Sequence, residues 1–164
     1  MTPQVDIRGG TPVRVLAELP ALERWLVQAL RDWCDGPDGQ ARVWSDLAQR
    51  LGPSRGRAAL HGFERTLAIL LGCGRRRFCR HASGCPCAGL DEVLMAHFVA
   101  VAAGGAEEDA LLMAMLLVPA DQMWPLVTAA RQLGLELERA PGGAVAAGSE
   151  PTPTHDGTPF ATRH

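Results

Sequence analysis

Apolar residues recur every three or four positions through most of the chain, and this spacing is typical of amphipathic helices that bury one face. The first series runs from Leu22 through Leu26 and Leu30 to Trp33. The predicted helices cover about residues 20–34, 40–51, 53–71, 91–103, 107–118 and 122–133. Because no stretch alternates convincingly between apolar and polar residues, we predict an all-α fold. It is a single-domain bundle of five to six helices with a Cys-rich loop between the third and fourth helices.

Several features of this pattern predict details of the bundle. Gly72 and Gly74 are expected to end the third helix by adopting a left-handed backbone. The segment 111–118 is apolar on nearly all sides, which predicts a helix at the centre of the bundle. In the fourth helix, Leu94, Phe98 and Val101 are expected to face the core, with His97 or Val93 beside them.

The two ends of the chain depart from the helical pattern. Residues 1–13 contain proline and glycine without apolar periodicity, so we predict a flexible N-terminal arm. Residues 140–164 are rich in Ala, Pro, Gly and Thr and cannot bury enough apolar surface to offset the entropy of ordering. They are predicted to form a disordered C-terminal tail, and the helical domain is expected to span residues 14–139.

The composition is that of an ordinary globular chain, with 47% hydrophobic and 21% charged residues. All 16 basic residues are Arg, and Lys, Tyr and Asn are absent, which indicates a high-GC bacterial coding bias. No secretion signal is recognisable, and no apolar run approaches the roughly 20 residues of a membrane helix. We therefore expect a cytoplasmic location and no membrane partner. In a reducing compartment, clustered cysteines favour metal or redox chemistry over disulfides.

Four of the five cysteines fall within one short loop, with the spacing Cys73-x5-Cys79-x5-Cys85-x-Cys87. His81 lies among them. Thiolates and imidazole bind zinc and iron–sulfur clusters, and a loop lets such ligands converge. We therefore predict a metal site at these five residues, holding either zinc or an iron–sulfur cluster. A redox-active set of thiols is the alternative, and in the plainest interpretation Cys73 and Cys79 only extend the core.

The spacing of Cys73, Cys79 and Cys85, preceded by a predicted helix corner, resembles that of a class of winged iron–sulfur transcription regulators. The resemblance covers those three cysteines and the corner before them. The winged hairpin expected between the two has no counterpart in this sequence. The resemblance implies an iron–sulfur cofactor in a regulatory protein.

Residues 47–58 form a helix–glycine–helix corner of the kind that many DNA-binding proteins use. Residues 42–80 carry nine Arg against two acids, a net charge of +7 that would favour phosphate. Such corners are also common in helical proteins that do not bind DNA. The candidate nucleic-acid-binding residues are Ser54, Arg55, Arg57, Arg75, Arg76 and Arg77.

No nucleophile elbow, phosphate loop or dinucleotide motif occurs in the sequence, so an enzymatic function is less expected than a binding one. The acid groups Asp91-Glu92 and Glu107-Glu108-Asp109 fall at predicted helix starts, where capping and the helix dipole account for them. Our leading hypothesis is a small metal- or iron–sulfur-binding protein that acts as a sensor, adaptor or carrier. The alternatives are a DNA-binding regulator with a Cys-based sensing loop and a structural interaction protein. The expected partner is accordingly DNA or another protein, and the oligomeric state is open.

Overall fold

A computed structural model describes residues 12–139 of the chain. Within this range the elements are β1 (Pro12–Val15), a 3-10 turn (Leu16–Glu18), α1 (Ala21–Cys34), α2 (Pro37–Leu51), α3 (Pro53–Cys73), β2 (Cys87–Gly89), α4 (Leu90–Ala103), α5 (Glu107–Leu117) and α6 (Ala120–Glu138). The predicted all-α bundle is confirmed, with its Cys-rich loop between the third and fourth helices. The predicted tail and most of the predicted arm lie outside the described residues.

Helix α6 lies at the centre of the bundle, where it packs along α3 and α4 and also contacts α5. Its buried residues recur at helical spacing through Leu126, Ala130 and Leu133. Gly134 brings α6 close to α4, because a Cβ atom at this position would lie 2.4 Å from the Cβ of Ala103. The absence of a side chain at Gly134 thus allows the two helices to cross closely.

Helix α5 lies at the edge of the bundle, so the prediction that segment 111–118 forms its centre is wrong. Within α5 only the small residues Ala110 and Ala114 are fully buried. They let the helix lie against α4 and α6, while larger apolar side chains face solvent. An apolar pattern on all sides cannot identify which side is buried, and here the alanines decide it. The exposed side chains are Leu112, Met115 and Leu116.

A short antiparallel ladder ties the N-terminal end of the described chain to the Cys-rich loop. Strand β1 pairs with β2, with Val15 opposite Cys87, and the Leu16 N–H donates to the Pro86 oxygen at 2.8 Å. The ladder is too short to show alternation, which is why the sequence pattern did not reveal it. The ladder includes Pro12 and Val13, which the sequence pattern assigns to the arm.

The prediction that glycines end α3 through a left-handed backbone is wrong. The helix continues through Gly72 to Cys73, and Gly74 follows with φ of −57°. Gly74 is needed for space instead, because a Cβ atom there would lie 2.5 Å from the Leu70 oxygen. A left-handed backbone is found at Gly52, where φ is 78° and α2 turns into α3.

The buried face of α4 differs from the predicted one. Phe98 is fully buried as predicted, but Leu94 and Val101 are only partly buried, whereas Met95 and Val99 are fully buried. In the first turn of α4, the same face carries two buried acids, Asp91 and Glu92. The side of α4 that faces the interior therefore carries both apolar residues and the two acids that bind the loop. None of the helices between residues 12 and 139 has the length and apolar character needed to cross a bilayer.

Candidate metal centre

The loop between α3 and α4 contains a compact turn that carries three of the predicted ligands. Ser83 and Gly84 form the turn, and the Cys85 N–H closes it on the Ala82 oxygen at 2.9 Å. After it, Pro86 leads into strand β2, which begins at Cys87. The chain therefore doubles back, and residues four and six positions after His81 return to its side chain.

His81, Cys85 and Cys87 bring their ligand atoms together, all within 4.8 Å of one another. The His81 Nδ1 atom lies 3.3 Å from the Cys85 Sγ and 3.0 Å from the Cys87 Sγ. The imidazole is buried, and both thiols are half-buried. Two thiols and one imidazole nitrogen are ligands that zinc and other soft or borderline metal ions prefer, so these three residues could hold a metal ion.

The other two predicted ligands do not belong to this group. Cys73 is the last residue of α3 and is exposed. Cys79 is half-buried, and its N–H donates to the Asp91 Oδ2 at 2.8 Å. The Cys79 Sγ lies 3.9 Å from the Arg77 oxygen. Among the described residues, the group that could hold a metal consists of His81, Cys85 and Cys87.

A fully buried ion pair, Arg31 of α1 and Glu92 of α4, lies directly behind the three ligands. The Arg31 Nε and Nη2 atoms each donate to one Glu92 oxygen at 2.7 Å, and both side chains have 0% exposure. The same guanidinium donates to two carbonyl oxygens of the loop, those of Cys85 at 2.8 Å and Cys87 at 2.7 Å. Arg31 thus fixes the backbone that carries both thiols.

Glu92 fixes the loop from the opposite side. Its Oε2 atom accepts from the Gly89 N–H at 2.8 Å, and its Oε1 atom accepts from the His81 N–H at 3.1 Å. Burial alone would raise the pKa of the Glu92 carboxyl, but the hydrogen bonds from Arg31, Gly89 and His81 outweigh it and hold the pKa below its ordinary value. Glu92 is therefore charged at neutral pH.

Gly89 also sets the position of the imidazole ring. A Cβ atom at Gly89 would lie 3.1 Å from both the Cδ2 and the Nε2 atoms of His81. The ring therefore packs on the glycine backbone with Nδ1 directed toward the two sulfurs. A larger residue at position 89 would displace the ring.

The two thiols of the site differ in acidity. A hydrogen bond with the Cys87 thiol, reinforced by one with His81, lowers the pKa of the Cys85 thiol to about 7. The same interaction with Cys85 raises the pKa of Cys87, and burial adds to it. One thiolate is therefore readily available near neutral pH, and metal binding would remove the second proton.

The arginines between positions 75 and 80 contact different parts of the structure. Arg75 contacts the end of α5, where its Nε donates to the Met115 oxygen at 2.9 Å. Arg76 forms an ion pair with Asp91, and Arg77 is exposed. Arg80 is buried and donates to Asp35 and to the His81 oxygen, which anchors the loop once more.

The helix–glycine–helix corner at Gly52 is present, but one of its predicted DNA-contacting residues is engaged elsewhere. Arg55 donates to the Glu136 carboxylate and to the Glu136 oxygen, both at 3.0 Å, at the end of α6. Ser54 and Arg57 are exposed. Binding to DNA stays a prediction.

Arg31 is the residue that sequence reasoning missed. It lies on the inward face of α1 beside Leu26 and Leu30, and a buried arginine needs a buried partner. An arginine at an apolar position of the helix was therefore the available signal. The sequence pattern explains Glu92 as a helix cap, and Glu92 does accept the N–H of the N-cap residue Gly89, but it also carries the buried ion pair.

Comparison with known proteins adds no further assignment. No protein-family model matches the chain, and neither a curated protein nor a solved structure matches it at a significant level.

Proposed function

We propose that the protein binds a single zinc ion through the Nδ1 atom of His81 and the thiolates of Cys85 and Cys87. In this proposal it acts in the cytoplasm as a metal-dependent sensor, adaptor or carrier. The observation that supports the proposal is the convergence of the three ligand atoms within 4.8 Å. Free cysteines in the described chain fit a reducing compartment.

The set of ligands favours a single ion over an iron–sulfur cluster. Clusters are usually held by four thiolates, or by two thiolates and two histidines. Here two thiols and one imidazole converge, while Cys73 and Cys79 lie outside the group. Zinc accepts mixed sulfur and nitrogen ligands in a four-coordinate site.

Three protein ligands leave one coordination position for a fourth group. Structural zinc sites normally close all four positions with protein ligands, so an open position fits a site that exchanges or reports its metal. Catalytic zinc sites are open too, but they add a general acid or base beside the bound water. The nearby carboxylates are already committed, because Glu92 pairs with Arg31 and Asp91 pairs with Arg76. This arrangement supports binding over catalysis.

The test is metal analysis of the full chain purified without oxygen, with serine variants of the four loop cysteines compared side by side. We expect one zinc ion per chain in the wild type and in Cys73→Ser and Cys79→Ser. Zinc should be lost in Cys85→Ser and Cys87→Ser, and His81→Ala should bind it far more weakly. The two outer cysteines are matched controls, since they change the same chemistry in the same loop.

Two results would overturn the proposal. Iron and sulfide with visible absorption, lost in the Cys73 and Cys79 variants as well, would indicate a cluster. A chain that holds no metal after purification and takes up none on reconstitution with zinc would rule out metal binding.

A further inference from the structure

Helix α5 presents an apolar face that nothing in the described chain covers. Leu112, Met115 and Leu116 are 58%, 47% and 74% exposed. They lie three or four residues apart, so they form one stripe along the outer side of the helix. A contiguous apolar surface of this kind usually marks an interaction site.

We propose that this face binds the same face of a second copy of the chain, with the two α5 helices antiparallel across a two-fold axis level with Ala114. Such an isologous contact is closed, because each copy offers the same surface and both apolar stripes are covered at once. The charges at the two ends of α5 are what commit the face to a second copy.

The N-terminal end of α5 is acidic, and its C-terminal end is basic. Glu107, Glu108 and Asp109 form the first turn. Glu107 lies 3.7 Å from Arg131 of the same chain, while Glu108 and Asp109 are exposed. At the other end, the Arg75 N–H donates to the Leu117 oxygen and its Nε to the Met115 oxygen, both at 2.9 Å. Arg75 itself is exposed.

This distribution excludes a parallel pairing and favours an antiparallel one. Two parallel copies would place acid beside acid, whereas two antiparallel copies place the acidic turn of each beside the basic end of the other. The helix dipoles favour the same antiparallel arrangement, since antiparallel helices also bring opposite partial charges together.

The register follows from the spacing along the helix. Leu112 and Leu116 lie two residues on either side of Ala114, or about 3 Å at 1.5 Å per residue. A two-fold axis at Ala114 therefore sets Leu112 of one copy level with Leu116 of the other. It also sets Asp109 level with Pro119 of the other copy, just past the end of α5 at Leu117. Because the Arg75 N–H is bonded to the Leu117 oxygen at this end of α5, the arrangement forms the Asp109–Arg75 pair twice, once at each end of the apolar stripe.

The test is sedimentation equilibrium of the full chain over a range of concentrations, with a reductant present and both with zinc and with a chelator. We expect a reversible dimer under both metal conditions. Leu112→Glu should abolish it. Arg75→Glu and Asp109→Arg should each raise the dimer dissociation constant roughly tenfold or more, because each replaces two attractions by repulsions. The double variant should return the dissociation constant close to that of the wild type.

Arg65→Glu is the matched control, since Arg65 is exposed on α3 and the substitution changes the net charge as Arg75→Glu does. It should leave the dimer unchanged. Circular dichroism of each variant checks that the fold is retained. A monomeric wild type would overturn the proposal and would assign the face to another protein or to residues 140–164. A dimer that survives Leu112→Glu, or a double variant that is not restored, would overturn the contact and its register.

Discussion

Replacement of Arg31 by methionine is the sharpest test of how the site is built. Methionine keeps a long side chain but removes the charge and four hydrogen bonds, two to Glu92 and one each to the carbonyl oxygens of Cys85 and Cys87. The variant leaves a charged carboxylate in a fully buried position. Removal of one partner from such a pair costs about 3–5 kcal/mol of unfolding free energy. For a chain of this size that corresponds to a fall of roughly 6–20 °C in Tm.

The chain contains a matched control for this substitution. Arg42 also pairs with an aspartate, through a 2.8 Å contact between its Nη2 atom and the Asp32 Oδ1, but its side chain is 58% exposed. Exposed pairs contribute about 0–1 kcal/mol because solvent screens them. Arg42→Met should therefore change the unfolding free energy far less than Arg31→Met.

Two further variants separate the fold from the loop. Arg31→Lys keeps the charge but cannot supply the forked donors, so the protein should fold while zinc affinity falls about 10–100-fold, as for other residues that orient metal ligands. The double variant with Glu92→Met removes the unpaired charge. It should be more stable than Arg31→Met alone, yet it should not recover zinc affinity, because the carbonyl oxygens of Cys85 and Cys87 still lack their donor.

Urea denaturation of each variant and competition with a zinc chelator supply both measurements. The reasoning is refuted if Arg31→Met loses no more stability than Arg42→Met. It also fails if the effects of Arg31→Met and Glu92→Met on stability simply add, since partners in a buried pair must be coupled.

Three further predictions concern the same site. In the metal-free protein, alkylation of Cys85 should accelerate with pH around a midpoint near 7, and peptide mass spectrometry that finds a midpoint near the ordinary value of about 8.5 would contradict the assigned hydrogen bonds. Gly89→Ala should weaken zinc binding about tenfold or more by displacing the His81 ring. Gly84→Ala should not weaken it, because nothing lies within 4 Å of the new Cβ atom. Equal zinc affinities of the two variants in a chelator titration would rule out the clash. The folded-state pKa of Glu92 lies below its unfolded value of about 4.3, so the stabilisation is fully present above that pH and is lost as pH falls through the folded pKa. The stability difference between wild type and Glu92→Gln should accordingly shrink in acid, and a constant difference in urea denaturation down to low pH would argue against the depressed pKa.

The location of the site could be predicted from the sequence because its ligands are local. His81, Cys85 and Cys87 lie within one turn, and the short chain between them limits where their side chains can go. The separation of Cys73 and Cys79 from that group could not be predicted. It depends on α3 extending to Cys73 and on the bond between the Cys79 N–H and Asp91, both of which follow from the packing of the whole bundle.

The ion pair behind the ligands shows the limit of sequence reasoning more directly. Arg31 and Glu92 are 61 positions apart, and no periodicity connects residues at that distance. Glu92 had a sufficient local explanation at the start of α4, and nothing local in α1 indicates a partner for Arg31. Only the crossing of α1 and α4 brings them together. The prediction that segment 111–118 lies at the centre of the bundle failed for the same reason, because its neighbours decide which side of an apolar helix is buried.

The buried pair also explains how a metal at this loop could affect the rest of the protein. All three ligand residues are held through their backbones by the two side chains, the His81 N–H by Glu92 and the oxygens of Cys85 and Cys87 by Arg31. These hydrogen bonds do not involve a metal, so they would lower the entropy cost of ordering the loop around one. The anchors belong to α1 and α4, so a change in loop geometry on metal binding would act on the contact between these two helices. A sensor or adaptor needs such a connection, and a loop bonded only to itself would lack it.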